Sequence, residues 1–173
     1  MVEVRPARPD DAPAVAGVHV RSWQVGYRGI LAPDYLDGLR PEDRMGSYTF
    51  GSTDPDAPAT IVAVENGALC GFATTGPSRD TDIPDGGEVL ALYVDPEAWG
   101  RGVGRRLMGE ARQRLSRRGY TDAVLWVLLG NERADRFYRA DGWQPEGQRR
   151  SVEIWKVAVD EVRYIRHLDR SRH

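Results

Sequence analysis

Cysteine occurs once in 173 residues, at Cys70, so no internal disulfide and no cysteine-rich zinc site can form. Lysine is as scarce: Lys156 stands alone. A phosphate-binding P-loop needs Gly-x-x-x-x-Gly-Lys-Ser/Thr, and no lysine directly follows a glycine of this chain's glycine cluster. The three histidines, His19, His167 and His173, lack metal-ligand spacing. No apolar run reaches the roughly 18 residues of a membrane span. The first stretch, residues 1–13, is charged and proline-rich, unlike a signal peptide. These absences lead to the expectation of one soluble, cytoplasmic, metal-free domain spanning residues 1–173.

Net charge is −2 but unevenly spread. Residues 1–100 carry 7 basic and 16 acidic side chains, and residues 101–173 carry 17 and 10. An acidic front would draw a cationic small molecule and a basic back an anionic one; equally, the arginines could coat solvated helix faces. Near-neutrality overall argues against a nucleic-acid-binding protein.

What is present is an alternation of strand and helix signals. Val2–Ala7 reads as a strand ended by Pro9. A helix follows, with Asp10 or Asp11 as N-cap, Pro13 in its first turn, and Val15, Val18, His19 and Trp23 along one side. Pro33 and Pro41 open two short helical pieces, and residues 51–59 form a loop. The apolar runs Thr60–Glu65 and Ala68–Thr75 flank Asn66-Gly67, a pair suited to a type I′ hairpin turn. Glu88–Val94 is apolar on both parities, which predicts a central strand covered on both faces. A helix running to about Arg118 carries Val103, Leu107, Ala111 and Leu115 at fourfold spacing, with Gly119 as its stop. Ala123–Leu129 is another buried strand, so strand, helix and strand form a right-handed crossover between parallel neighbours. Asn131 caps a further helix, on which Ala134, Phe137 and Tyr138 share a face and which ends at Gly142. Residues 143–150 and 157–168 close the chain as two antiparallel strands. The fold class is α/β with a mixed sheet.

Gly100, Gly102 and Gly104 stand between the central strand and its helix. Glycine costs a helix interior about 1 kcal/mol relative to alanine, so another demand is being met there. A tight turn, close helix packing, or a ligand touching main-chain amides would each require bare backbone. Exposed N–H groups at a helix N-terminus favour a phosphate. The dinucleotide fingerprint Gly-x-Gly-x-x-Gly is not met, because Arg105 holds the place of its third glycine. A nucleotide-binding oxidoreductase is disfavoured accordingly.

The run VDPEAWGRGVGRRL, Val94 to Leu107, resembles the acetyl-coenzyme-A loop of the GNAT superfamily of N-acetyltransferases, Q/R-x-x-G-x-G/A. Gly102 and Gly104 match its two small positions, Gly100 a common extra one, and Trp99 takes the Gln/Arg position. NERADRFYRADGW, Asn131 to Trp143, resembles the family's N-x-x-A-x-x-F-Y-x-x-x-G-F/W. The resemblance implies a mixed, mostly antiparallel sheet with a central splayed parallel pair and helices on both faces. It implies acetyl-CoA as co-substrate, no metal, and direct transfer of acetyl to an amine in a ternary complex. On that resemblance Leu92, Tyr93 and Val94 would offer main-chain bonds to pantetheine. The amides of Gly100, Arg101, Gly102, Val103, Gly104 and Arg105 would hold the pyrophosphate. Arg101, Arg105 and Arg106 would add charge or simply meet solvent, and Asn131 would contact the cofactor arm as well as cap its helix.

Such a reaction needs a base for the amine, a donor for the oxyanion and an acid for the thiolate. The resemblance puts Tyr138 beside the sulfur as the acid; it also reads as a core aromatic next to Phe137. Glu88 would be the base, directly or through water, or else a strand-end carboxylate in solvent. The amide near Leu92 would polarise the thioester carbonyl. Trp23 and Tyr27 would wall the acceptor side or pack in the core. The acceptor implied is a small-molecule or peptide amine, and the acidic front half favours a cationic one. No nucleic acid or membrane partner is expected, and a C-terminal strand could mediate a homodimer. The rival reading is a non-catalytic acyl-CoA-binding or sensing module on the same fold.

Overall fold

The computed structural model describes residues 1–48 and 50–169; His173 lies outside them. Elements follow one another as β1 (Val2–Pro6), α1 (Ala12–Gly26), α2 (Pro33–Asp37), α3 (Glu42–Met45), β2 (Ala59–Glu65), β3 (Ala68–Pro77) and β4 (Gly87–Val94). Then come α4 (Val103–Arg117), β5 (Asp122–Leu128), α5 (Glu132–Ala140), β6 (Gln144–Ile154) and β7 (Val157–His167). The seven strands form one sheet in the order β1-β2-β3-β4-β5-β7-β6. Every neighbouring pair is antiparallel except β4 and β5. Among the described residues no helix is long and apolar enough to cross a membrane.

Period-two alternation distributes the core. Ile61, Ala63 and Ala73 pack with Val103, Leu107 and Ala111 of α4, while Val62 and Phe72 pack with Val15 and Val18 of α1. The sheet is therefore covered by α4 on one side and α1 on the other. Asn66 and Gly67 both take positive φ, 52° and 77°, as a type I′ turn requires. The sequence places α1 and its N-cap position, Asp11, but the capping bond expected of that side chain is not made. The Asp11 carboxylate makes no cap bond; it accepts the Arg8 N–H at 2.7 Å and the Arg5 guanidinium at 2.8 Å, and a 3-10 turn precedes the helix.

A second difference lies at the C-terminal hairpin. β6 runs on to Ile154, and the turn is Trp155-Lys156, with φ of 49° and 66°. Two non-glycine residues in left-handed backbone cost about 1–2 kcal/mol each. Tertiary packing offsets that cost: the half-buried Trp155 ring lies against Trp23 and His19 of α1, and its carbonyl accepts the Tyr35 hydroxyl at 2.5 Å. No local pattern announces such a turn.

Candidate active site

The three glycines serve different ends. Gly100 and Gly102 adopt φ of 78° and 80°, which a side chain would strain. Gly104 has ordinary backbone, but a Cβ there would sit 3.3 Å from Phe137, so it lets α4 approach α5. Gly102 is the N-cap of α4 and brings no side chain to its orphan donors. Arg106 N–H bonds to the Gly102 carbonyl at 3.0 Å. Among the described residues, no protein acceptor meets the amides from Gly100 to Arg105. Arg101 turns away to Glu65 at 2.8 Å, whereas Arg105 and Arg106 form no ion pair among the described residues.

Beside this loop the sheet opens. β4 and β5 pair only at Gly87↔Ala123 and Glu88↔Val124 and then diverge, so Leu90 to Tyr93 are half-buried rather than covered on both faces. Asp95 N–H donates to the Cys70 carbonyl, which turns it toward β3. By the alternation of an antiparallel pair, the main chain of Tyr93 also faces β3, and those of Leu92 and Val94 face the gap. The Val94 carbonyl is taken, however, by the Trp99 indole N–H at 2.8 Å. Of the three positions that the resemblance implied for pantetheine, Leu92 alone presents both main-chain groups to the gap without a protein partner among the described residues. Trp99 thus acts by closing the end of β4, and its ring carries the Arg133 guanidinium 3.3 Å from the centroid. Asn131 caps α5 through Oδ1 to Ala134 N–H at 3.1 Å and lines the same opening.

A cleft of about 1010 Å³ passes through this gap, from the glycine loop on one face of the sheet to α1 and α3 on the other. Tyr138 projects into it from α5, beside Phe137 and with its phenol held well above the ordinary range by burial and then by Tyr93. Tyr27 and Tyr93 share a 3.3 Å hydroxyl contact; burial and then the Tyr93 charge raise the Tyr27 phenol well above its usual value. Glu88 is no solvated strand end. It is 1% exposed, at the last β4–β5 pair, and lines the cleft. Arg79 holds it with its backbone N–H at 3.0 Å and its Nη2 at 2.8 Å.

Trp23 and Tyr27 are buried with Leu36 and Leu39, as the core reading expects, and they also line the cleft. His19 stacks on Tyr93 at 4.8 Å, and burial followed by the Arg44 charge pushes its pKa down to about 3. Arg44, Arg79 and Arg133 all line the cleft, the first two outside any motif and Arg133 at an unspecified position of the Asn131–Trp143 run. Sequence reasoning missed them because an arginine in a loop or on an exposed helix turn carries no local signature.

Residues 23–143 match the model of the acetyltransferase (GNAT) family. An uncharacterised N-acetyltransferase of Bacillus subtilis, YuaI, is 32% identical over 166 residues, covering 94% of this chain and 91% of that protein. A spermidine N(1)-acetyltransferase of Thermoplasma acidophilum is 23% identical, covering 84% and 89%. Among solved structures, the PaiA N-acetyltransferase of the same organism, in complex with coenzyme A, superposes with a TM-score of 0.73 at 20% identity, over 96% of this chain and 99% of that one.

Proposed function

The chain belongs to the GNAT family of acetyltransferases, and from that premise we propose that it moves acetyl from acetyl-CoA directly to an amine bound beside it in one ternary complex. The observation that carries this reading is the unbonded row of amides from Gly100 to Arg105 opening onto a gap in the sheet. A diphosphate fits such a row: among the described residues the donors have no acceptor, they lie at a helix N-terminus, and Arg105 and Arg106 add charge that no described carboxylate pairs. The coenzyme A bound to PaiA and the spermidine named for the Thermoplasma relative support the two substrate classes without specifying this chain's acceptor.

Acetyl-CoA, when bound, supplies an activated thioester. The amides of Gly100 to Arg105 hold its diphosphate, and the Leu92 N–H in the gap donates to the oxyanion. Glu88 keeps one lone-pair position beyond the three donors of Arg79, and there accepts the proton of the amine through water. Tyr138 directs its O–H at the thiolate as the C–N bond forms and the C–S bond breaks. Burial opposes a phenolate, so the proton released by the amine replaces the one Tyr138 gives up. The balance closes with one proton lost by the amine and one gained by the thiol.

Thiol release from acetyl-CoA over a panel of primary amines tests this. Turnover of at least one amine is expected, with intersecting initial-rate lines. Tyr138→Phe should lower kcat by about 100-fold while leaving acetyl-CoA affinity in place. Binding of acetyl-CoA with no turnover of any amine and no effect of Tyr138→Phe would instead indicate a sensing module.

A further inference from the structure

Two buried donors at the α1–α3 end of the cleft make no well-formed hydrogen bond among the described residues: the Trp23 indole N–H, whose neighbouring hydroxyl is that of Tyr93, and the Nε–H of Arg44, whose guanidinium lies beside the Tyr48 hydroxyl. Trp23 is 2% exposed, and both residues line the cleft. A buried donor left unmade costs about 1–3 kcal/mol, more when charged, so two on residues that line one cleft call for a cause. Arg44 also forms no ion pair among the described residues. Its guanidinium stacks 4.7 Å over Trp155, the ring against which Trp23 also packs. The buried carboxylates of the cleft are already engaged, Glu88 by Arg79 and Glu161 by Arg150, and Glu153, which is exposed and also lines the cleft, forms no ion pair with Arg44 among the described residues. His19, neutral by burial, offers no negative charge. A fixed cation therefore stands in a wall of aromatic rings with no counter-ion paired to it among the described residues.

Resting on the acetyltransferase reading above, we propose that the acceptor amine carries an oxyanion, a carboxylate or phosphonate, which Arg44 and the Trp23 N–H bind. An oxyanion is acceptor-only, as these orphan N–H groups demand, and matches the guanidinium fork. A polyamine offers donors and positive charge, which Arg44 repels. The acceptor is thus an amino-acid-like zwitterion, contrary to what the acidic front half of the sequence suggests.

The test is steady-state kinetics at saturating acetyl-CoA and pH 8. The acceptors are common L-amino acids, β-alanine and γ-aminobutyrate, each beside its primary amide, together with aminomethylphosphonate and spermidine. The acids should exceed their amides in kcat/KM by about 10- to 100-fold, the loss of one charge-assisted hydrogen-bonded contact. The lower amine pKa of α-amino amides biases against this result. The phosphonate arm tells which oxyanion is preferred. Arg44→Gln should raise KM for the best acid by about tenfold or more with little change in kcat, Arg44→Lys should restore part, and Trp23→Phe should raise KM severalfold. Thermal stabilisation by acetyl-CoA, retained in each variant, reports an intact fold. Amides or spermidine used as well as the acids, or a KM unmoved by Arg44→Gln, overturns the proposal and leaves the acetyltransferase reading standing. No turnover of any amine despite acetyl-CoA binding overturns both.

Discussion

A buried imidazole surrounded by rings gains little from a proton. His19 lies in that setting: its Nδ1 is 3.1 Å from the Tyr48 hydroxyl, and its pKa is pushed down to about 3. In the unfolded chain it returns to about 6.5. The unfolded state thus binds a proton between those values that the native state refuses. Stability is complete above the unfolded pKa and falls as pH drops through the window, by at most about 1.4 kcal/mol per unit. Urea denaturation at pH 6.5 and 5 checks this. Wild type should lose about 1.6 kcal/mol more between them than His19→Leu does, since the remaining titrations are common to both. The sequence placed His19 on the inner side of α1, but its proton affinity depends on Tyr93 and Arg44, which only folding brings near.

At the scale of elements, the start of α4 combines a conformational requirement with an open donor set. Gly102, at φ 80°, and Gly109, mid-helix with nothing within 4 Å of a built Cβ, make an informative pair. Gly102→Ala should destabilise by about 1–2 kcal/mol and weaken acetyl-CoA binding. Gly109→Ala should stabilise by about 0.5–1 kcal/mol with binding unchanged. Chemical denaturation and calorimetric titration of acetyl-CoA separate the two outcomes. α4 and α5 were legible because fourfold spacing, an N-cap asparagine and terminal glycines are local signals. The Trp155-Lys156 turn was not, because a left-handed tryptophan is tolerated only for the sake of α1 and α2 against it.

The whole molecule is joined across its open side by one ionic cluster. Arg163 of β7, 4% exposed, meets Asp80 at 3.2 Å and Asp82 at 2.7 Å, and also pairs with Glu146. Asp80 accepts the Trp126 indole N–H of β5 at 3.0 Å. The loop thus fastened also carries Arg79, which holds Glu88 at the mouth of the gap. Arg163→Met would take the nearer cation from Asp80, leaving it Arg150 at 3.9 Å and the Trp126 N–H, and should cost about 3 kcal/mol. For a chain of this size that is a fall in Tm of about 10 °C, measurable by calorimetry. If the loop positions Glu88, the same variant should lose acetyl transfer with acetyl-CoA affinity retained.

The sequence by itself determined the order of strands and helices, the bare amides of the glycine loop and the family they indicate. These rest on φ preference, periodicity and capping, which act between residues a few positions apart. Tertiary structure alone decided where β4 parts from β5, that Trp99 occupies the Val94 carbonyl, and which arginines keep a partner. Parting strands and ion pairing are matters of distance between remote segments, and Arg44 stands without a counter-ion among the described residues only because the surrounding chain, folded, brings it rings instead.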